Sequence, residues 1–228
     1  MVEAAVPTLP VLGKQELLRQ SPYFAGLSPE DFTLIDELAM EERYDRDAIV
    51  VSEGDDSRKL FFVASGAVKI FGTSADGKEQ ITALARPGDS FNDVAAFDGG
   101  SAQAAAQALT PVVLYTLNGR ALLDKSCRMG QLAANIVRLL AGRVRALGDL
   151  VADLSFRPVA GRLAKILLEQ LANGHSPHLT QRDMAAMIGS AREVVARALK
   201  SLEDEGVIRV ERHRIVILDR GALEGMTI

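Results

Sequence analysis

Four charged residues share one side of a predicted helix near the end of the chain: Arg192, Glu193, Arg197 and Lys200. At about 100° per residue they lie, with the small Ala196, within an arc of about 140°. The apolar residues of the segment fall on the other side: Val194, Val195, Ala198, Leu199 and Leu202. An arginine fork matches the O6 and N7 acceptors of guanine, and a glutamate can accept from N4 of cytosine. This pattern predicts a helix that contacts bases in the major groove.

An ordinary solvated helix face is the alternative, with Glu193 paired to Arg197 one turn away. The surrounding sequence favours base contact. The segment follows Gly189, a turn residue, and Ser190-Ala191-Arg192-Glu193 has the pattern of a full capping box. Thr180-Gln181-Arg182-Asp183 predicts a similar start for a preceding helix that runs through Ile188. A helix, a glycine turn and a second helix are typical of a helix-turn-helix.

The flanking segments complete a winged helix-turn-helix over residues 157–228. A first helix is predicted from the spacing of its apolar residues: Val159, Leu163, Ile166, Leu167 and Leu171. Val207–Val210 and Ile215–Leu218 predict a short hairpin, the wing, joined by Glu211–Arg214.

The N-terminal part has a different texture. Residues 14–40 predict short helices, with Ser28-Pro29-Glu30-Asp31 as a good helix start. Short β-rich runs then alternate with turn sequences such as Asp76-Gly77-Lys78 and Pro87-Gly88-Asp89. The runs are Ile49–Val51, Leu60–Val63, Val68–Phe71, Ile81–Leu84 and Val112–Leu117. Strands at this spacing predict a β-sandwich or jelly roll, the sensor domain of residues 1–125.

A long helix is predicted between these two parts, at residues 126–156, and Pro158 ends it. Apolar residues recur along it alternately four and three apart, which is typical of a two-stranded coiled coil. The predicted dimer seam comprises Met129, Ala133, Ile136, Leu140, Arg143, Leu147, Leu150 and Leu154. Packing of this seam against the sensor domain of the same chain is the alternative. The fold class is therefore α+β, with an N-terminal β-roll, a dimerisation helix and a C-terminal winged helix-turn-helix.

Composition narrows the classes of function. The 228 residues are 48% hydrophobic and 25% charged, which is ordinary for a globular protein. The net charge of −4 is unevenly distributed, with −8 in residues 1–125 and +4 in the remainder. One cysteine, Cys127, excludes an internal disulfide and a cysteine-ligated iron–sulfur cluster. No signal sequence or membrane-spanning run is evident, so we expect a soluble, cytoplasmic protein.

The chain resembles the cyclic-AMP receptor protein/FNR (CRP/FNR) family of bacterial regulators over residues 20–220. In the β-roll the resemblance rests on Val51-x-Glu53-Gly54-Asp55, Ser65-Gly66-x-Val68-Lys69, Asp76-Gly77-Lys78-Glu79 and Pro87-Gly88-Asp89. In the DNA-binding domain it rests on Gly189-Ser190-x-Arg192-Glu193-x3-Arg197 and Leu199-x2-Leu202-Glu203-x-Glu205-Gly206-x-Ile208. The second set is the more specific.

The resemblance implies a homodimer that binds double-stranded DNA and acts with RNA polymerase. It aligns Arg192, Glu193 and Arg197 with base-contacting positions and implies a GTGA-type half-site. It places Thr180, Gln181, Ser190 and Lys200 at the DNA backbone.

The sensor departs from the family pattern at the effector pocket. The family resemblance implies a Gly-Glu-Leu motif followed by Arg-Ser, the pair that binds the phosphate. This chain has Asn92-Asp93-Val94 at the first motif and Gln103-Ala104 at the second. Without that arginine a charge-assisted, bidentate contact to a phosphate is lost. The candidate pocket residues are Asp93, Gln103, Ala104, Arg143 and Leu147. We predict an unidentified small-molecule effector other than cyclic AMP, or none; the alternative is cyclic-nucleotide binding despite the missing pair.

Other classes fit less well. A haem sensor or a metal-dependent jelly-roll enzyme would need sensor-domain histidines, yet His175, His178 and His213 all lie in the C-terminal domain. A nucleotide-binding module of a kinase or channel would need the phosphate-binding arginine, which this chain lacks, and would not carry the helix-turn-helix predicted here. No nucleophile–base pair or phosphate-binding glycine loop is present. The sequence therefore predicts no enzyme, no metal site and no tightly bound cofactor.

Overall fold

The computed structural model describes residues 12–172, 179–211 and 214–227, without the side chains of residues 172 and 214. Contacts divide the chain into two compact units. The first contains the described residues up to Gly72 together with Ala83–Val144, and the second contains Thr73–Thr82 and the described residues from Arg145 onward. Nowhere in these ranges is a helix both long and apolar enough to cross a membrane.

The first unit begins with helices that match the predicted short helices. Helix α1 spans Lys14–Gln20, a 3₁₀ turn spans Pro22–Phe24, and α2 spans Pro29–Leu38. The Ser28 hydroxyl accepts from the Asp31 backbone N–H at 3.1 Å, which confirms the predicted cap.

In the part of the chain that the structure describes, eight strands form the β-roll. They are β1 (Met40–Tyr44), β2 (Ile49–Val51), β3 (Lys59–Ser65), β4 (Val68–Thr73), β5 (Glu79–Ala85), β6 (Ser90–Phe91), β7 (Ala105–Ala108) and β8 (Val112–Asn118). Two four-stranded sheets have the orders β1-β8-β3-β6 and β2-β7-β4-β5. The five predicted runs all lie within strands, and β1, β6 and β7 are additional. The predicted β-roll is confirmed.

Strand β3 separates two apolar cores. Leu60 and Phe62 pack with the helices, whereas Phe61 and Val63 pack inside the roll, because successive side chains of a strand point to opposite faces. Burial on both faces explains why the run from Leu60 to Ala64 is continuously apolar.

Three helices complete the link to the C-terminal part: α3 (Asp93–Asp98), α4 (Gly119–Ser126) and α5 (Gly130–Phe156). The long helix begins later than predicted. The backbone N–H groups of Cys127, Arg128 and Met129 donate to carbonyls of Leu123 and Lys125, so these residues continue from the end of α4. The first hydrogen bond of α5 runs from the Ala133 N–H to the Met129 carbonyl. Pro158 lies just beyond the end of α5, as predicted.

The second unit contains the winged helix-turn-helix. Its elements are α6 (Val159–Ala172), α7 (Gln181–Met187), α8 (Arg192–Asp204), β9 (Ile208–Glu211), β10 (Arg214–Ile217) and α9 (Arg220–Met226). Strands β9 and β10 are antiparallel, with Ile208 opposite Ile217. Helix α9, which was not predicted, packs against the same core through the fully buried Leu223.

The two predicted capping boxes have different outcomes. At α7 both bonds form: the Thr180 hydroxyl accepts from the Asp183 N–H at 3.1 Å, and the Asp183 carboxylate accepts from the Thr180 N–H at 2.9 Å. The box predicted at Ser190–Glu193 is wrong, because α8 begins after Ala191, which provides no side-chain cap. The Ser190 N–H donates to the Ala185 carbonyl at 3.0 Å, so Ser190 belongs to the turn.

Candidate DNA-binding surface, effector pocket and dimer face

Helix α8 buries one side and exposes the other. Val195, Leu199 and Leu202 are 3% exposed or less and belong to the core of the second unit. The predicted base-contacting residues are all exposed: Arg192, Glu193 and Arg197, together with Lys200. The burial therefore divides the helix as the sequence pattern predicts.

The exposed charges of α8 are available to a ligand. Among the described residues, no salt bridge joins Glu193 to Arg197, and none engages Arg192 or Lys200. The pairing of Glu193 with Arg197 that the solvated-face interpretation expects is therefore absent among the described residues. Two guanidinium groups, one carboxylate and one ammonium group thus project from a helix whose opposite side is fixed.

The turn between α7 and α8 places this surface. Gly189 has φ +62°, in the left-handed region that glycine tolerates best. A Cβ atom there would lie 2.8 Å from Cδ2 of Leu154 and 3.1 Å from Oε1 of Gln80. Glycine is required at this turn for both its backbone angle and its close neighbours.

The predicted backbone-contacting residues differ in their environment. Thr180 is exposed, while Gln181 and Ser190 are half-buried. The Thr180 hydroxyl donates to the Asp183 carboxylate at 2.7 Å in addition to capping the helix. Its side chain is therefore occupied by the cap, and Gln181, Ser190 and Lys200 have more freedom to contact a phosphate.

In the first unit, Arg143 and Asp93 form an ion pair. The Arg143 Nε–H donates to Oδ2 of Asp93 at 2.8 Å, and another guanidinium N–H group donates to the carbonyl and hydroxyl oxygens of Ser90. Asp93 is 5% exposed, whereas the Arg143 side chain is 47% exposed. Burial alone would lower the pKa of Arg143, but the Asp93 carboxylate outweighs it and the pKa is raised.

A buried tyrosine adjoins this pair. Burial raises the pKa of Tyr23 far above its ordinary value, and the Asp93 carboxylate adds to the shift. The Tyr23 hydroxyl and Oδ1 of Asp93 are buried without a hydrogen-bond partner among the described residues. The sequence did not single out Tyr23, because it lies far from Asp93 along the chain in an apolar helical segment.

The other predicted pocket residues are not joined to this pair by a hydrogen bond or salt bridge in the described residues. Gln103 is exposed and Ala104 half-buried, just before β7. Leu147 is 55% exposed and belongs to the second unit. The structure therefore brings together Asp93 and Arg143 of the predicted set.

Metal-binding groups are equally sparse. No cluster of three or more His, Cys, Asp or Glu side chains suited to a metal ion occurs in residues 12–172, 179–211 and 214–227. The three histidines lie outside the described residues: His175, His178 and His213.

Helix α5 has an exposed apolar stripe. Val137, Val144 and Val151 are 67%, 69% and 63% exposed, and their seven-residue spacing places them on one face. Leu147, at 55%, extends this stripe. Large apolar side chains at such exposure on one helix face indicate a surface that another molecule covers.

Each valine of the stripe lies one residue further along the chain than a member of the predicted seam, whereas Leu147 belongs to both sets. Met129 and Ile136 are 7% and 6% exposed and pack in the helix-side core of their own unit, so little of either side chain is left for contact with a second chain. Leu140 packs partly on that core, and Arg143 is held by Asp93. The remaining predicted members are the half-buried Ala133, Leu150 and Leu154 and the exposed Leu147.

Comparison with known protein families matches both parts of the chain. Residues 41–125 match the model of the cyclic nucleotide-binding domain, and residues 161–226 match that of the Crp-like helix-turn-helix domain.

Two curated relatives are similar over nearly the whole chain. A cyclic AMP receptor protein of Thermus thermophilus is 33% identical over 210 residues, which cover 91% of this chain and 97% of the relative. A CRP-like cAMP-activated global transcriptional regulator of Mycobacterium tuberculosis is 30% identical over 214 residues, covering 90% and 95%.

Solved structures share the fold. FixK2 from Bradyrhizobium japonicum superposes with a TM-score of 0.74 at 25% identity, covering 83% of this chain and 98% of that chain. The catabolite activator protein of Thermus thermophilus superposes with a TM-score of 0.54 at 32% identity, covering 91% and 98%.

Proposed function

Because the chain belongs to the CRP/FNR family of DNA-binding transcription regulators, we propose that it acts as a homodimer whose two α8 helices recognise GTGA-type half-sites. The family and fold are those of regulators and not of enzymes. Residues 1–125 form the proposed sensor, 126–156 the dimerisation helix and 157–228 the DNA-binding domain. RNA polymerase is the proposed protein partner.

The observation that carries the proposal is the division of α8 into a buried and a charged side. Arg192 and Arg197 offer guanidinium forks to guanine, and Glu193 offers a carboxylate to cytosine. Their availability, together with the half-buried Ala196 between them, suits a helix that must approach the groove floor closely. Thr180, Gln181, Ser190 and Lys200 are the proposed backbone contacts.

The exposed stripe of α5 supports a two-fold dimer. Leu140 and Leu147 follow Val137 and Val144 by three residues, and β-branched residues at one heptad position with leucine at the other favour two-stranded parallel coiled coils. We therefore assign the dimer seam to Val137, Val144 and Val151 with these two leucines. A two-fold dimer requires a two-fold symmetric DNA site.

Random-site selection with the purified protein tests the proposal. We expect a palindrome with GTGA half-sites whose centres lie about one helical turn, roughly 10 base pairs, apart. Enrichment of single half-sites would contradict the dimer, and a palindrome of unrelated sequence would contradict the assigned base contacts.

For the sensor we propose an effector other than cyclic AMP. The positions of the family's phosphate-binding pair hold Gln103 and Ala104, and Arg143, the cation among the predicted pocket residues, is already paired with Asp93. A second candidate is a cyclic-nucleotide-responsive regulator, because both relatives above are named for cyclic AMP.

Isothermal titration of cyclic AMP and cyclic GMP separates these two candidates. The first predicts no saturable heat at micromolar protein, whereas the second predicts saturable binding of one nucleotide per subunit. Native mass spectrometry of freshly purified protein would reveal a retained ligand of another class.

A further inference from the structure

Residues Thr73–Thr82, which comprise the end of β4, the turn after it and the start of β5, belong to the same compact unit as the helix-turn-helix. We call these residues the hairpin tip. Glu79 Oε1 lies 3.5 Å from a guanidinium nitrogen of Arg182, in the first turn of α7. The side-chain amide of Gln80 donates to the carbonyl of Met187, the last residue of α7, at 3.2 Å. Two consecutive tip residues therefore contact both ends of α7.

The hairpin tip also reaches the turn that orients α8. If residue 189 had a side chain, its Cβ would lie 3.1 Å from Oε1 of Gln80. The end of the Gln80 side chain therefore lies close to Gly189 as well as to the end of α7.

In a helix-turn-helix the first helix crosses the DNA backbone while the second enters the major groove. Arg182 lies in the first turn of that first helix, and its side chain is 75% exposed. A guanidinium group binds a phosphate through charge-assisted, bidentate hydrogen bonds. The Glu79 carboxylate is negatively charged, as a DNA phosphate is, and it already lies beside the guanidinium group of Arg182.

We propose that Arg182 contacts a DNA phosphate and that Glu79 of the hairpin tip competes with that phosphate. The hairpin tip thereby lowers the affinity for DNA of any sequence, with an effect of about two- to fivefold per subunit, the range of an exposed ion pair. This inference rests on DNA binding by the helix-turn-helix but not on the GTGA assignment.

The test measures binding to a fluorescent duplex of mixed sequence without GTGA, as salt is raised from about 50 to 200 mM. Glu79→Gln should bind about two- to fivefold more tightly than the wild type. Arg182→Ala should bind more weakly, and its slope of log K against log salt should fall by about 0.9 per subunit. In the double variant Glu79→Gln/Arg182→Ala, the change at residue 79 should not raise the affinity, because the Glu79–Arg182 ion pair is already broken.

Asp76→Asn is the matched control. This variant removes one negative charge from the same hairpin tip. The Asp76 carboxylate accepts from the Ser74 hydroxyl at 2.5 Å and makes no described contact with α7. We expect wild-type affinity from this variant.

Three results would overturn the proposal. The first is that Asp76→Asn and Glu79→Gln raise the affinity for the duplex equally. The second is that Arg182→Ala keeps the wild-type salt slope. The third is that Glu79→Gln still raises the affinity when Arg182 has been replaced. Failure of the wild type to bind any duplex at low salt would instead contradict DNA binding itself.

Discussion

Among single residues, Arg197 and Lys200 are neighbouring cations on α8 for which we propose different contacts with DNA. Both are exposed and lie three residues apart. The guanidinium of Arg197 is a planar fork that fits one base edge, whereas the ammonium of Lys200 is a compact charge without a preferred base. The first suits discrimination and the second suits affinity for phosphate.

Arg197→Ala should weaken binding to the selected palindrome by about 1–3 kcal/mol and relax preference at one base pair of each half-site. Lys200→Ala should weaken binding to all sequences alike. Competition binding with single-base variants of the site measures both effects. A changed base preference in Lys200→Ala would contradict its assignment to the backbone.

The Arg143–Asp93 pair makes a prediction about stability. Arg143→Leu leaves the buried Asp93 carboxylate without its cation and should lower the free energy of unfolding. We expect about 1–3 kcal/mol, less than for a fully buried pair, because the guanidinium is half-exposed. Urea denaturation measures the loss, and Asp93→Asn combined with Arg143→Leu should recover part of it. An unchanged midpoint in Arg143→Leu would show that the pair does not stabilise the fold.

Among the elements, the α7–α8 turn is closely packed around its glycine. Gly189→Ala should destabilise the protein in two ways, since its φ of +62° strains alanine by about 1–2 kcal/mol and its Cβ would meet Leu154 and Gln80. Gly206 is the matched control, because it has φ +73° with open space around it. Gly206→Ala should cost the backbone strain alone, so Gly189→Ala should have the lower urea midpoint. Equal midpoints would show that the neighbours yield without cost.

Patterns confined to one element were predictable, and contacts between distant segments were not. The apolar run from Leu60 to Val63 predicted a buried strand, and Thr180 with Asp183 predicted a helix start, because strand period and capping are local. Ile136 and Val137 are adjacent and both apolar, so sequence alone could not tell which one the β-roll's helices cover. The contact of Glu79 with Arg182 joins residues 103 apart and left no signal in either segment.

In the whole molecule, charge and apolar surface are separated along the chain. Residues 1–125 have a net charge of −8 and the remaining residues +4. Because DNA phosphates are negative, the net negative charge of residues 1–125 disfavours contact with DNA, and the net positive charge of the remaining residues favours it. The exposed valines of α5 lie between these two regions in sequence. In the proposed dimer, pairing of two chains there would supply the two recognition helices that a palindrome requires.

The assembly prediction follows from that stripe. Val144→Glu or Val151→Glu would bring each introduced carboxylate close to its symmetry mate in a desolvated seam, at a cost of several kcal/mol. Analytical ultracentrifugation should show monomers, and the same variants should lose preference for the palindrome over a single half-site. Ala146→Glu is the control, since Ala146 is exposed and lies nearly opposite Val144 on the helix. If both valine variants stay dimeric, the interface lies elsewhere; if Ala146→Glu also dissociates, added charge on α5 and not the stripe is responsible.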